Sequence, residues 1–174
     1  MVEIKKTIFD EIFIKMDFIV RQGEEKDMHS VLDLITELAV FEKEPDAVDI
    51  SVTDLINDGF SENPKFKIFV AEQENQIIGI ALFYERYSTW KGRTIHLEDL
   101  IVTKKKQKIG AGKALYTAVL KYAFDHNYNR VAWEVIDWNQ NAIDFYKSTG
   151  ATYLNDWSVV QMNKENLAKF IQNN

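Results

Sequence analysis

The sequence predicts a mixed α/β (α+β) fold, in which a central sheet of about seven strands is flanked by helices. Strand-like and helix-like apolar patterns alternate along the 174 residues, and strand–helix–strand units fill the second half, as in partly parallel sheets. The length suits one domain, and an apolar content of 46% can supply a core. We therefore expect one domain over residues 18–174, preceded by an N-terminal extension over residues 1–17.

The order of the elements follows from the spacing of the apolar residues. Short apolar or alternating runs predict strands at residues 18–21, 66–71, 77–84, 94–102, 131–136, 151–154 and 157–162. Spacings of three and four predict helices from about residue 27, from residue 51, over 111–124 and 141–148, and near the C-terminus. Similar spacing in the extension predicts an additional helix, and the alternative is that the extension is a dispensable segment.

Residues at the predicted boundaries support these assignments. Asp27 is expected to cap the first helix, and Ser51 is expected to form a capping box with Asp54 at the second. Gly59 is expected to end that second helix. The pair Glu74-Asn75 stands between two predicted strands and is typical of a hairpin turn.

The composition excludes several classes of protein. The net charge of −6 argues against a general nucleic-acid binder, which needs a basic surface. The absence of cysteine excludes disulfides, cysteine-ligated zinc and a cysteine nucleophile, and the three histidines lack the spacing of metal ligands. No stretch approaches the ~18 apolar residues of a membrane span. We therefore expect a cytoplasmic protein with no metal, no nucleic-acid partner and no membrane segment.

The segment that precedes the predicted helix at 111–124 carries the strongest local pattern. Gly110 and Gly112 let the backbone approach a ligand at a helix start, where free N–H groups and the helix dipole favour an anion. Five lysines accompany them in an otherwise acidic chain, namely Lys104, Lys105, Lys106, Lys108 and Lys113. A phosphate-bearing ligand explains both features, and a glycine-rich turn with solvated lysines is the alternative.

The common nucleotide-binding motifs do not fit this segment. A P-loop would require glycine in place of Gln107, and serine or threonine in place of Ala114. A dinucleotide fingerprint would require a third glycine in place of Leu115. Both motifs are therefore excluded as explanations of the glycines.

Glu98 and Asp99 form an acidic pair inside an otherwise apolar predicted strand. Successive side chains of a strand point to opposite faces, so the two carboxylates can share a face only if a bulge intervenes. Because a buried, unpaired carboxylate is costly, the pair needs partners. Ion pairs to Arg86, Arg93 or Arg130 are one explanation, and a substrate amine that loses its proton through water is the other.

The segment 138–147 is the third region with a chemical pattern. Asn139 is expected to cap a helix, and Tyr146 shares a face of that helix with Ala142 and Phe145. Tyr146 is therefore either a core residue or a phenol that donates a proton in an active site.

Together these segments resemble the GNAT superfamily of N-acetyltransferases. Residues 107–112 match its acetyl-CoA signature, Q/R-x-x-G-x-G/A. Within the superfamily, the chain is similar to the diamine (spermidine/spermine) acetyltransferase family, and most to its thialysine N-epsilon-acetyltransferase branch. The similarity spans residues 18–162, and the segments that carry it are 37–43, 58–60, 87–95, 97–99 and 137–147.

The resemblance implies roles for particular residues. Tyr146 would be the general acid, and Glu98 or Asp99 would take the proton of the amine. The co-substrate acetyl-CoA would contact Leu100, Ile101, Val102, Gln107, Lys108, Ile109, Gly110, Ala111, Gly112, Lys113, Asn139, Gln140, Asn141, Ala142 and Tyr146. The small-molecule amine would contact Phe41, Glu42, Trp90, Glu98, Ala132, Trp133 and Glu134. The resemblance also implies a homodimer.

Two positions depart from the family pattern. Lys108 stands where the pyrophosphate loop usually has glycine, which predicts a stiffer loop. Ser88 stands where polyamine-preferring members carry an acid, which favours an amine shorter than spermidine or spermine.

The expected function is direct acetyl transfer from acetyl-CoA to a primary amine of a small cation, either a thialysine-like amino acid or a diamine or polyamine. One alternative is an acetyltransferase that acts on proteins or peptides, which would need an open groove. Another is a non-catalytic acyl-CoA-binding module, which would need neither the acidic pair nor Tyr146.

Overall fold

The computed structural model describes residues 17–173, so the predicted extension lies outside the described residues apart from Asp17. The chain divides into two compact units, Met1–Glu134 and Val135–Asn174. The first unit contains β1 Ile19–Gln22, α1 Met28–Phe41, α2 Val52–Phe60, β2 Lys67–Gln73, β3 Gln76–Ser88, β4 Gly92–Val102, α3 Ala111–Asp125 and β5 Val131–Ala132. The second unit contains α4 Gln140–Ser148 and α5 Lys164–Gln172.

The five strands of the first unit form one sheet in the order β1-β2-β3-β4-β5. The strands β1 to β4 are antiparallel neighbours and β5 lies parallel to β4, which confirms the predicted mixed sheet. Glu74 and Asn75 have φ values of 51° and 61°. A two-residue hairpin turn requires positive φ at both positions, so the predicted turn is confirmed.

Strand β4 contains a bulge at Glu98. Leu82 of β3 lies opposite Asp99, whereas the next residue, Phe83, lies opposite Leu97, so Glu98 is one extra residue on β4. A bulge of this kind bends the strand and re-aims its side chains. Because this bulge intervenes, the side chains of Glu98 and Asp99 can lie on the same face of the sheet.

Helices cover both faces of the sheet. On one face, α1 and α2 pack over a core that contains Met28, Val31, Leu34, Leu55, Ile68, Val70, Ile80, Leu82 and Ile101. On the other face, the ring of Tyr122 from α3 lies 6.4 Å from that of Phe69 and 5.1 Å from that of Phe83. This arrangement confirms the predicted α/β fold with a sheet flanked by helices.

The structure corrects the predicted cap of α1. The Asp27 carboxylate accepts hydrogen bonds from the Arg21 guanidinium at 2.7 and 2.9 Å and from the Glu24 N–H at 2.8 Å. It forms no side-chain cap bond at the start of α1. Asp27 therefore stands at the predicted N-cap position of α1, but its side chain does not cap the helix, because the carboxylate instead joins β1 to the turn before the helix.

The second helix begins as predicted but ends differently. Ser51 and Asp54 form the capping box, with the Ser51 hydroxyl accepting from the Asp54 N–H at 3.2 Å. The helix continues to Phe60, so the prediction that Gly59 ends it is wrong. A Cβ at Gly59 would lie 2.7 Å from the ring of Phe66, so a larger residue there would force that ring to shift.

The predicted strands in the last third of the chain need correction. The strand expected at 131–136 is only Val131–Ala132, because its parallel ladder with β4 ends as β4 approaches the bulge. Within residues 17–173, no strand forms at 151–154 or 157–162, since no neighbouring strand pairs with them. The described sheet therefore has five strands rather than about seven.

Candidate active site

The turn between β4 and α3 presents backbone N–H groups at the start of a helix. Gly110 has φ 93° and precedes the helix without a side-chain cap bond. The helical ladder begins with the Ala114 N–H donating to the Gly110 carbonyl at 3.0 Å, so earlier N–H groups lie outside it. Among the described residues, no atom lies within 4 Å of a Cβ placed at Gly110. This open helix start fits an anion.

The lysines of this turn give it a positive surface. Lys104, Lys105, Lys108 and Lys113 are exposed. Lys108 has φ 68°, so its backbone keeps the left-handed conformation that glycine would adopt with less strain. The Lys104 N–H donates to a carboxylate oxygen of Glu37 on α1 at 2.7 Å, which ties the turn to the first helix. The turn is therefore both cationic and anchored.

The end of β4 has one unpaired edge within residues 17–173. Leu100, Ile101 and Val102 lie opposite Ala81, Ile80 and Gly79 of β3, whereas β5 pairs with β4 only at Ile95 and His96. The second edge of the predicted Leu100–Val102 segment is thus open to an extended ligand that bonds like an added strand.

The acidic pair lies on the sheet face that α1 covers. Asp99 lies opposite Leu82, which belongs to the core under α1. Glu98 precedes the bulge and shares the face of His96, two residues earlier, which lies opposite Tyr84. In the described part of the chain, no arginine or lysine forms an ion pair with either carboxylate. The ion pairs considered for Arg86, Arg93 and Arg130 are therefore not formed, and Arg93 instead pairs with Glu85 at 2.9 Å.

Burial, together with the nearby carboxylates of Glu98 and Glu42, raises the pKa of Asp99 to about 6. Glu42 lies directly after α1, is half-buried, and its own pKa is raised by burial. Within residues 17–173, neither Glu98 nor Asp99 has an arginine or lysine as an ion-pair partner, and a bound ammonium group would supply a positive charge there.

Sequence reasoning missed two residues of this cluster, Tyr84 and His96. His96 Nε2 lies 3.4 Å from Glu98 Oε2, and the Tyr84 and His96 ring centroids are 5.2 Å apart. Burial and the negative charge of the nearby Glu98 carboxylate raise the pKa of Tyr84. Strand alternation from Glu98 could have found His96, and the β3–β4 register could then have found Tyr84.

The other predicted substrate residues of the first unit are dispersed. Ala132 lies beside His96 in the parallel ladder, and Trp133 packs edge-on against Tyr116 at 5.5 Å. Phe41 ends α1 and is 50% exposed. Glu134 is exposed and contributes to the negative surroundings of Tyr84.

Trp90 lies far from the acidic pair along the β3–β4 hairpin. It is 78% exposed in the turn between β3 and β4. Six strand positions separate the start of β4 from Glu98, which corresponds to about 20 Å. Within one chain, the structure therefore does not bring Trp90 to the acids.

The remaining predicted residues belong to the second unit. The Asn139 side chain accepts from the Ala142 N–H at 3.3 Å and caps α4, which confirms the predicted cap. The Gln140 side chain donates to Asp144 at 2.6 Å, and Asn141 is exposed. Tyr146 is half-buried and its ring lies 5.4 Å from that of Phe145. Gln140, Asn141 and Tyr146 therefore lie on one helix, which Asn139 caps.

Metal sites and membrane-spanning helices find no support among the described residues. Residues 17–173 contain no group of three or more histidines, aspartates or glutamates that could hold a metal ion. Each helix within residues 17–173 is too short or too polar to span a lipid bilayer.

Comparisons with known proteins agree with this geometry. Residues 28–151 match the family described as the acetyltransferase (GNAT) family. Thialysine N-epsilon-acetyltransferase from Sus scrofa is 38% identical over 146 residues, 79% of this chain and 86% of the relative. The Bos taurus protein of the same name is 39% identical over 145 residues, 79% of this chain and 85% of the relative.

Solved structures share the fold. An integron cassette protein from V. cholerae has a TM-score of 0.73 at 23% identity, covering 90% of this chain and 99% of that one. An aminoglycoside acetyltransferase from an uncultured soil metagenomic sample has a TM-score of 0.70 at 22% identity, covering 84% and 95%. The family match and the two relatives confirm the family predicted from the sequence: the chain belongs to the GNAT family of acetyltransferases.

Proposed function

We propose that the protein transfers the acetyl group of acetyl-CoA to a primary amine of a small cation. One observation carries this proposal. Strand β4 bears the acidic pair at Glu98 and Asp99 and ends, at Val102, in the turn that leads to the lysine-flanked helix start. A cation-binding and an anion-binding surface therefore stand on one strand, which suits an ammonium substrate and a diphosphate-bearing donor.

The residues present fit the donor. The open helix start at Gly110 and its lysines suit the diphosphate, and the unpaired edge of residues 100–102 suits the amides of the pantetheine arm. Residues 107–113 and 100–102 are the proposed donor site in the first unit. The contributions of residues 139–142 and Tyr146 are proposed from the family resemblance.

The acids would prepare the amine for attack. An alkylamine has a pKa of about 10 and arrives protonated, so a carboxylate must accept one proton before the nitrogen can attack. The neutral amine then forms a C–N bond to the thioester carbonyl carbon while the C–S bond breaks. Because the chain has no cysteine, an acyl-cysteine intermediate is excluded and the attack is direct.

Two further groups complete the proposed chemistry. A backbone N–H of β4, such as that of Leu100, would stabilise the negative charge that develops on the carbonyl oxygen. Tyr146 would give its proton to the departing thiolate and regain one from the new amide nitrogen. The proton taken by the carboxylate passes to water, so one proton is released in each cycle.

We propose short substrates because Ser88 stands where polyamine-preferring members of the family carry an acid. The Ser88 hydroxyl accepts from the N–H groups of Trp90 and Lys91, both at 3.3 Å, so this position closes a turn. It supplies no negative charge for a distant ammonium group. We therefore propose thialysine-like amino acids and short diamines as preferred substrates, and a cytoplasmic homodimer as the working form.

A thiol-release assay with an amine panel tests the function. The panel contains thialysine, lysine, ornithine, putrescine, spermidine and spermine, and mass spectrometry identifies the product. We expect amine-dependent release of coenzyme A, with a lower KM for the short amines than for spermine. Binding of acetyl-CoA without thiol release from any amine would contradict the enzyme and favour a binding module. Size-exclusion chromatography with light scattering would show twice the 20.3 kDa chain mass for a homodimer.

A further inference from the structure

The turn over residues 104–110, called the donor turn below, is joined to α1 by the side chain of Glu37. The Glu37 carboxylate accepts a hydrogen bond from the Lys104 N–H at 2.7 Å, although the two residues are 67 positions apart in the sequence. Glu37 lies within α1, and Lys104 begins the turn that follows β4. The bond therefore connects the segment proposed to hold acetyl-CoA to a helix from another part of the chain.

In the described part of the chain, the other hydrogen bonds of the donor turn go to residues near it in the sequence. The Lys106 N–H donates to the carbonyl of Thr103, the residue before the turn, at 2.9 Å. The Gln107 side chain lies 3.5 Å from the carbonyl of Val102, the last residue of β4, which is long for a hydrogen bond. These local contacts shape the turn, whereas the bond to Glu37 fixes its position relative to α1.

The same helix leads to residues proposed for the amine side of the site. Phe41 lies one helical turn after Glu37, and Glu42 follows directly, about 7.5 Å from Glu37 along the helix axis. The charge of Glu42 acts on Asp99, so the end of α1 lies beside the acidic cluster. Leu34, three residues before Glu37, is 4% exposed in the core under α1, so packing holds the helix. Loss of the Glu37 bond would therefore release the turn and leave the helix in place.

From this connection, and resting on the function proposed above, we infer that Glu37 is a positioning residue for acetyl transfer. It holds the donor turn at a fixed distance from the end of α1, and so sets where the thioester lies relative to the amine. Reacting atoms must approach to about 3–3.5 Å in an aligned geometry, and a displacement of about 1 Å can lower a rate by about 100-fold. Glu37 therefore affects the rate of the chemical step more than the binding of either ligand.

The charge of Glu37 and its hydrogen bond should act in opposite directions, so the two can be separated. The carboxylate lies close to the lysines of the donor turn, so removing its charge alone should favour the binding of an anionic donor. Removing the hydrogen bond should instead lower the rate of transfer. A glutamine side chain is uncharged but keeps an oxygen that can accept the Lys104 N–H, whereas an alanine side chain cannot accept it.

Alanine and glutamine variants of Glu37 test the positioning role. For Glu37→Ala we expect kcat and the single-turnover rate of acetyl transfer to fall by about tenfold. The calorimetric Kd for acetyl-CoA and the amine KM should change by less than about threefold, because the lysines, the helix start and the acids are all retained. Glu37→Gln should keep most of the wild-type rate. Asp33→Ala removes an exposed acid one turn earlier on α1 and is the matched control, which should behave as wild type.

The outcomes distinguish this inference from the proposed function. If wild type releases no thiol with any amine of the panel, the proposed function fails, and this inference with it. If wild type is active and Glu37→Ala keeps its transfer rate, or Glu37→Gln is no faster than Glu37→Ala, only the positioning role is overturned. A Kd for acetyl-CoA that weakens by about tenfold at an unchanged transfer rate would also overturn it, since Glu37 would then serve donor binding alone. Circular dichroism checks that each variant is folded, and Glu37→Met repeats the test should the alanine variant fail to fold.

Discussion

The glycine turn before α3 and the acidic cluster under α1 are built by opposite means, although β4 contributes to both. The turn uses backbone geometry, with φ 93° at Gly110 and a helix start without a side-chain cap. The cluster uses side chains from three elements, with Glu42 after α1, Tyr84 on β3 and Asp99 on β4. A site made by a continuous backbone segment is visible in sequence, whereas a site made by register becomes visible only in the folded sheet.

The largest expected effect is at Tyr146, which lies outside both regions. It tests whether the glycine turn and the acidic cluster are sufficient for acetyl transfer without a proton donor. Tyr146→Phe should lower kcat by about 10²–10⁴-fold and leave the Kd for acetyl-CoA unchanged, because only the donated proton is lost. Steady-state kinetics and calorimetry measure the two quantities. Tyr153→Phe, in the same unit, is the control. Unchanged kcat in Tyr146→Phe would reject the acid role.

The next effect tests the backbone-built region. Gly110→Asp should weaken acetyl-CoA binding by about 100-fold, because it strains the turn and places a negative charge where a diphosphate is expected. Gly150→Asp is a close control, since Gly150 has a similar φ of 89° and nothing described within 4 Å of its Cβ position. Both variants should lose similar stability. Equal calorimetric Kd values for the two would remove the turn from the donor site.

The acidic cluster should lower the stability of the fold, and a comparison of Asp99 with Asp27 tests this. Asp99→Asn should raise the free energy of unfolding by about 2 kcal/mol at pH 7.5, because burial has raised the pKa of Asp99 to about 6 and its ionisation costs the fold. The gain should vanish below about pH 4, where Asp99 is protonated in both states.

At Asp27 we expect the opposite change in the free energy of unfolding. The Arg21 guanidinium lowers the pKa of Asp27, so its charge stabilises the fold above the unfolded pKa and that contribution is lost as pH falls through the folded pKa. Asp27→Asn should therefore lower the free energy of unfolding by about 2 kcal/mol at pH 7.5. Urea denaturation at pH 7.5 and pH 4 measures both variants. Shifts of the same sign at pH 7.5 would contradict the contrast.

The smallest expected effect is at Lys108. Its backbone conformation costs stability, whereas its charge is expected to favour acetyl-CoA binding. Lys108→Gly should stabilise the fold by about 1 kcal/mol, because glycine adopts φ 68° without strain. Lys108→Ala keeps the strain and loses the charge, so the two variants should weaken acetyl-CoA binding alike but differ in melting temperature. Identical melting temperatures would show that this position is not strained.

Local patterns accounted for much of the first unit. The hairpin turn at Glu74-Asn75, the capping box at Ser51 and the glycine turn each depend on a few adjacent residues, so the sequence was sufficient to predict them. The side-chain cap expected from Asp27 does not form because a competing partner, Arg21, comes from another element. Residues 157–162 were predicted as a strand from their pattern, but pattern alone does not provide a neighbouring strand.

The acidic cluster shows the same limit within the site. The pair Glu98-Asp99 was recognised as costly, and the bulge was named as the condition for a shared face. The position of that bulge depends on how β3 pairs with β4, and so do the contacts of His96 and Tyr84. An isolated histidine in a strand gives no local sign of its cross-strand neighbours, which is why the sequence did not assign His96 to this cluster.

The bulge at Glu98 also suggests how the acidic pair on β4 could be gained or lost by a change of one residue. Removing one codon there would let Leu97 and Asp99 follow one another opposite Phe83 and Leu82, giving an uninterrupted ladder. The edited protein would keep its hydrophobic interior and its helix start while losing one of its two adjacent acids. Loss of amine chemistry by a single in-frame deletion would then leave a folded domain, free to diverge toward other ligands.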